Sequence, residues 1–412
     1  KYAYQYIRFY ADDLKNGKIK VKNYHDFIGT KDYEISWTLS VNGKEVMYGK
    51  MDQVDIPAHG EMTLVIPELV NLQLTEGVEV FLDMSTKLAF NRDFQKRGDE
   101  VAHEQFFIEK VNLARAEKEE ISAVILKEMG TKYIVAGENF EVSINKTSGL
   151  LDSYRINEME LLQKGPQINF WRAPNDNDKG YNMIGKMGVW REVSNDLQLE
   201  NIKAQDVKRD RVTIEATYQL PKVKSKATVF YTISGDGKID IAYSFKAGEG
   251  KFPLMPRFGF RWEMPVLFDN LTYYGRGPHE NYNDRKASAF VGLYSSKVAD
   301  QYFNYVRPQE NGYKTDVRWF ELRNQNGVGL RISGSPFLGF SSLHNPIEDF
   351  DQKDHKDFRH TNDIVKKDGV FITTDLKMMG VGGDNSWGAR PYAECSIPMK
   401  DYDFKFSIVP VF

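Results

Sequence analysis

The sequence predicts an all-β protein of two sandwich domains, and three observations carry that prediction. Apolar and polar residues alternate with a period of two in many short runs. Hairpin dipeptides such as Asn42-Gly43 and Asp236-Gly237 separate several of them. From residue 123 to 412 strand-like runs follow one another with no strand–helix alternation, which points to one large sandwich rather than an α/β fold.

Residues 1–110 read as a small sandwich of the immunoglobulin kind. Tyr33, Ile35, Trp37, Leu39 and Val41 form the clearest half-buried strand, and Ile19 and Val21 alternate with lysines in the same way. Runs at 62–66, 78–84 and 104–108 are further strands, with turns at Pro57, Gly60, Pro67 and Gly77 between them. Residues 111–122 are dense in charge and read as a linker. In the second domain, 123–412, the clear strands are 140–144, 212–218, 227–233, 239–245, 258–262, 328–333 and 404–409. Residues 145–149 turn the first of these back.

Composition narrows the function. The chain has 412 residues, a net charge of −3 and a pI of about 6.2, so charge gives no sign of nucleic-acid binding. Aromatics make up 13% of residues, which suits strands and carbohydrate or protein contact surfaces. The single cysteine, Cys395, rules out an internal disulfide and reads as a small core residue. No apolar run approaches a membrane span. The chain opens KYAYQYIRFY, without an initiator Met, and reads as a piece of a longer protein.

Four segments concentrate chemistry. Residues 169–180, NFWRAPNDNDKG, place Arg172, a planar five-donor fork, before Asn175, Asp176, Asn177, Asp178 and Gly180. An Asx-braced turn accounts for them. An EF-hand loop does not, because its Gly and Glu are missing from the required positions. Residues 273–294, YYGRGPHENYNDRKASAFVGLY, bring a Gly-Pro turn and the polar set from His279 to Arg285, including Glu280 and Asn283. Residues 305–319, YVRPQENGYKTDVRW, supply a second polar loop, and the two loops together form either a hydrogen-bonded structural knot or a sugar-handling surface. Residues 380–387, GVGGDNSW, end on Trp387, with glycines that let the backbone bend and with Asp384 and Asn385 able to brace the loop. On the residues alone Trp387 is either a core ring or an exposed platform. His355 and His360 are five apart in a very polar stretch, which fits a solvated loop and not a zinc motif.

These four segments, in this order, resemble the last domain of the large β-galactosidases of glycoside hydrolase family 2. The resemblance implies an immunoglobulin-like domain followed by a supersandwich like that of galactose mutarotases. It implies that both catalytic glutamates, which a retaining glycosidase holds roughly 5–5.5 Å apart, lie on a barrel preceding residue 1. No catalytic residue and no metal site is therefore expected in this chain, and any divalent metal belongs to that catalytic domain. Trp387 matches the tryptophan that the family presents at the active-site mouth, and Gly180 matches the start of a loop approaching the pocket. The expected binding set is Trp387, Asp384, Asn385, Arg172, Asp176, Asn177, Asp178 and Gly180. Expected partners are a β-galactoside or galactose, the barrel of the same polypeptide and further copies in a homo-oligomer, with no nucleic acid and no membrane. The compartment stays open between bacterial cytoplasm and periplasm. The rival readings are an aldose-epimerase-like enzyme using His279 and Glu280, and a carbohydrate-binding or interaction module. At Asn283, where proline is common in the family, a looser turn is expected.

Overall fold

A computed structural model describes residues 2–51, 54–70, 72, 77–111, 121–351 and 359–412. The chain divides into two compact units, Lys1–Glu117 with Phe290–Leu293, and Lys118–Ala289 with Tyr294–Phe412. The charged stretch expected to be a linker lies mostly outside the described residues, as does His355.

Among its described residues up to Val111, the first unit is a sandwich of antiparallel strands β1 (Ile7–Asp13), β2 (Lys18–Asn23), β3 (Tyr33–Val41), β4 (Lys44–Met51), β5 (Glu61–Val65), β6 (Val78–Leu88) and β7 (Glu100–Val111). One sheet runs β1-β2-β5 and the other β4-β3-β6-β7. The period-two pattern of β2 and β3 buries Ile19, Val21, Ile35, Trp37 and Leu39 between the sheets, against Leu64, Val80, Leu82 and Met84. Asn42 and Gly43 both adopt positive φ, 50° and 78°, as a two-residue hairpin requires. The strand after that turn escaped the sequence pattern. Most of β4 is exposed, with Val46, Met47 and Tyr48 open to solvent, so it lacks the alternation that reveals a strand.

The second unit continues with β8 (Ile125–Met129), β9 (Lys132–Ala136), β10 (Phe140–Asn145), β11 (Leu151–Ile156), β12 (Met159–Glu160) and β13 (Lys164–Asn169). Three short helices follow, α1 (Asp176–Gly180), α2 (Met183–Met187) and α3 (Val189–Asn195). Then come β14 (Gln198–Val207), β15 (Arg211–Leu220), β16 (Ser225–Ser234), β17 (Ile239–Lys246), β18 (Arg257–Met264), β19 (Asn270–Gly277), β20 (Phe290–Lys297, of which Phe290–Leu293 count with the first unit), β21 (Lys314–Arg323) and β22 (Gly329–Leu343). Helix α4 (Ile347–Phe350), β23 (Val370–Met378) and β24 (Tyr402–Val411) complete it.

Strands β12-β11-β10-β9-β8 make one sheet. The larger sheet follows β13-β18-β23-β22-β24-β17-β16-β15-β14, with β21 branching from β22 to β19. Alternate residues of β15, β16 and β17 are buried, and aromatic rings of β17 and of β24 meet those of β18. Tyr243 stacks on Phe258 at 4.8 Å, and Phe260 packs edge-on to Tyr243. The large all-β sandwich is what the alternation predicted, and its supersandwich form is what the resemblance implied, with a helical insertion between β13 and β14 that neither foresaw.

That insertion extends one local reading. The Asx-braced turn is also the first turn of α1: Asn175 caps the helix by accepting from Asp178 N at 2.9 Å, and Asp178 accepts from Asn175 N at 2.8 Å. The reading of Cys395 is corrected. It is only half-buried, in a short 3₁₀ turn, where its backbone carbonyl accepts from Gly380 N at 2.8 Å.

Candidate functional site

The four chemistry-bearing segments converge in the second unit, around the loop that carries Trp387. Construction starts at the end of β13. Asn169 bonds both backbone groups of Trp171, at 3.1 and 2.9 Å, and so turns the chain toward Arg172. Arg172 is completely buried and Asp178 is 1% exposed. Their bidentate pair, with Nη2 to Oδ1 at 3.0 Å, is completed by the Tyr181 hydroxyl donating to Asp178 at 2.7 Å. Burial opposes the Arg172 charge, but the Asp178 carboxylate outweighs it and holds the guanidinium pKa above its usual value.

This pair holds the Trp387 loop by its base. Arg172 Nη2 donates to Gly380 O at 3.1 Å. Asn175 and Asn177 both donate to Val381 O, at 2.8 and 3.0 Å. Asp284 accepts from Gly382 N at 2.9 Å. Further along, α1 lies so close to the loop that a Cβ on Gly180 would stand 2.2 Å from Ser386 O. Glycine at 180 is thus a requirement of close approach. The tip is braced from within: Asn385 Oδ1 accepts from Trp387 N at 2.9 Å, and Asp384 accepts from the Tyr392 hydroxyl. Trp387 itself is 88% exposed, which removes the core-ring reading.

The expected binding residues therefore fall into two groups. Asp384, Asn385 and Trp387 are exposed, as are Asp176 and Gly180, with Asn177 half-buried. Arg172 and Asp178 are not available to a ligand. Their charged groups bond each other and backbone, with Arg172 Nε left without a hydrogen-bond partner, and the contacts the structure shows for them are fastening ones. Asp178 faces Arg172.

Sequence reasoning missed several supports. Gln309 spans from the second polar loop to α1, donating to Asp176 Oδ2 at 3.0 Å. Glu310 accepts from Arg257 at 2.7 Å and from Ala173 N at 3.3 Å. Arg257, fully buried, also lies 3.3 Å from Asp375. Burial pushes the Asp375 carboxyl up to about 7 against the pull of Arg257. Gln309 and Glu310 stood in a visible motif. Arg257 and Asp375 sit within strands, and only their charge amid apolar neighbours signals a buried pair.

The two polar loops do form a knot. Glu280 accepts from Arg285 at 2.5 Å, Gly312 N at 2.8 Å, the Tyr282 hydroxyl at 3.2 Å and the Tyr305 hydroxyl. Asn281 bonds Thr315 N at 2.9 Å and the carbonyls of Arg276 and His279 at 3.0 and 3.1 Å. With four donors on its carboxylate, Glu280 is a structural anchor and not a free base. His279 Nε2 faces the Ser288 hydroxyl at 3.2 Å. The turn at Asn283 is tethered, not loose, because its amide donates to Met378 O at 2.7 Å.

The β-galactosidase small chain family matches residues 136–408, and β-galactosidase domain 4 matches residues 19–109. The chain is 33% identical over its whole length to a β-galactosidase of Priestia megaterium and 26% identical to one of Streptococcus thermophilus. It spans 39% of the length of each. Among solved structures, galactose 1-epimerase from Lactobacillus acidophilus covers 71% of this chain and 99% of its own, at 10% identity and a TM-score of 0.38. No helix among the described residues is long and apolar enough to cross a membrane. The chain belongs to the β-galactosidase small chain family.

Proposed function

We propose that this chain is the non-catalytic C-terminal portion of a family 2 β-galactosidase and that it completes the sugar-binding rim of the active site. The observation that carries this reading is Trp387, a large ring 88% exposed on a loop fastened at its base and braced at its tip. An apolar ring held in water by a rigid loop is suited to stacking on the CH face of a pyranose. Asp384, Asn385, Asp176, Asn177 and Gly180 form its surroundings, while Arg172 and Asp178 act beneath the surface. The catalytic carboxylates and any divalent metal belong to the barrel of the same polypeptide. Assembly with that barrel and into homo-oligomers is part of this reading.

The test is Trp387→Ala in the full-length enzyme. KM for a β-galactoside rises about tenfold, equivalent to about 1.4 kcal/mol, while the melting temperature holds. An unaltered KM accompanied by a fall in melting temperature would return Trp387 to a structural role.

A further inference from the structure

The second unit holds a cavity of about 670 Å³ that shares no residue with the Trp387 loop. Its floor is one face of four adjacent strands, β13, β18, β23 and β22. Two cross-strand rows line it. Gln167, Arg261, Thr373 and Ser341 stand in register in one, and Lys164, Glu263, Phe371 and Leu343 in the next. From strand spacing and rise, this floor measures about 14 Å by 7 Å. Alternation puts Trp262 and Ile372 of the same strands into the core beneath, so the floor is backed by packed side chains.

The lining restricts the ligand. Seven charged residues line the cavity. Six pair among themselves, Lys164 with Glu263 at 3.2 Å, Lys367 with Asp349 at 3.2 Å, and Arg261 with Glu348, and the seventh, Glu310, pairs with the buried Arg257 at 2.7 Å. Opposite signs thus balance around the cavity, which offers no net attraction to an ion. One row is rich in hydrogen-bonding groups, with the Ser341 and Thr373 hydroxyls 2.8 Å apart and the Gln167 amide fixed by Ser194 O at 3.2 Å. The neighbouring row ends in the apolar surface of Phe371 and Leu343. The wall is also set in place, since the Asn345 amide donates to Asp349 at 2.9 Å and to Val365 O at 2.7 Å. A neutral ligand with hydroxyls along one edge and an apolar face along the other matches both rows. The volume lies in the range of small-molecule sites.

We propose that this cavity is an accessory binding site for a neutral short saccharide, separate from the rim at Trp387. It does not depend on that rim reading. The test uses the 412-residue chain carrying Trp387→Ala, so that rim binding is silenced. Lactose, cellobiose and maltotriose are titrated one at a time, followed by calorimetry and by saturation-transfer NMR. The expected result is binding of at least one of them with a Kd of about 1–10 mM, unchanged between about 0.1 M and about 1 M salt. Phe371→Ala weakens it about tenfold, and Gln167→Ala, which leaves the apolar floor whole, weakens it about threefold with an unchanged melting curve. The proposal is overturned if none of the three sugars binds up to about 100 mM. It is also overturned if binding occurs but is indifferent to both substitutions, or if it is present in the native chain and lost with Trp387→Ala.

Discussion

The Arg172–Asp178 pair and the Trp387 tip belong to one assembly but stand at opposite ends of the exposure scale. The pair is sealed from water, and its charged groups bond each other and the backbone of the loop, with Arg172 Nε left unpartnered. The tip is almost wholly solvated and holds its shape through two local side-chain bonds. Polar residues in the first region fix position, and in the second they leave a ring free to meet a partner. Identity of residue type does not separate these uses: Asp178 and Asp384 are both aspartates in Asn-rich, Gly-flanked turns. Burial separates them.

Substitutions that exchange the two behaviours test the contrast. The largest effect is expected for Arg172→Met, which strands Asp178 without its partner and costs about 3–5 kcal/mol of stability in denaturant unfolding. Pairing it with Asp178→Leu should return part of that loss, because no lone charge then remains buried. The return is incomplete, since Asn175 N and Tyr181 also lose an acceptor. If Arg172→Met unfolds like the native chain, the fastening role is wrong.

Gly180→Ala comes next, at about 1–3 kcal/mol. The new methyl meets Ser386 O, so the loop must shift. Trp387 fluorescence and the KM of the full-length enzyme should change together, and a silent substitution would mean that α1 does not set the loop position.

A pH effect of intermediate size is expected in the knot beside this assembly. Lys314 is 2% exposed, with its amine donating to Gln301 at 2.7 Å and Gly312 O at 3.1 Å. Burial pushes its pKa down to about 8, against a slight opposing pull from Glu280. The unfolded chain keeps the proton until its ordinary value of about 10.4. Between these values the unfolded state binds more protons, so stability contributed by this group rises with pH from about 8 to about 10. Melting curves of the native chain and Lys314→Met across that range should differ in slope with this sign.

The smallest effect is expected for Asn385→Ala, which removes the acceptor for Trp387 N. Global stability should change by no more than about 0.5 kcal/mol, while the KM of the full-length enzyme rises about two- to threefold as the ring loses its fixed pose. A drop in stability comparable with that of Arg172→Met would erase the distinction between base and tip.

How much of this was legible follows from what each residue contacts. Strands with one buried face, such as β3 and β15 to β17, announce themselves because alternation is a local consequence of burial. The edge strand β4 is exposed on both sides, and helices α1 to α3 are too short to develop a period, so neither was visible. At the site, the segments themselves stood out by composition, and Asn385 bracing its own loop could be read from local Asx chemistry. The burial of Arg172 and Asp178 could not. It depends on Gly380 O and on strands hundreds of residues away, and nothing within the segment distinguishes a buried fork from an exposed one.

The bond from Arg172 to Gly380 O joins residues 208 positions apart. On a ribosome, the first half of this joint emerges long before the second. Arg172 and Asp178 can pair at once, yet the Trp387 loop has nowhere to seat until most of the large sheet between them has been made and closed. Non-local closures of this kind come late, because chain entropy must be overcome before they return any contact energy. The Trp387 tip is therefore among the last parts of the chain to acquire its shape during synthesis. A nascent chain stalled before residue 380 would carry a formed α1 with an unfilled seat beside it.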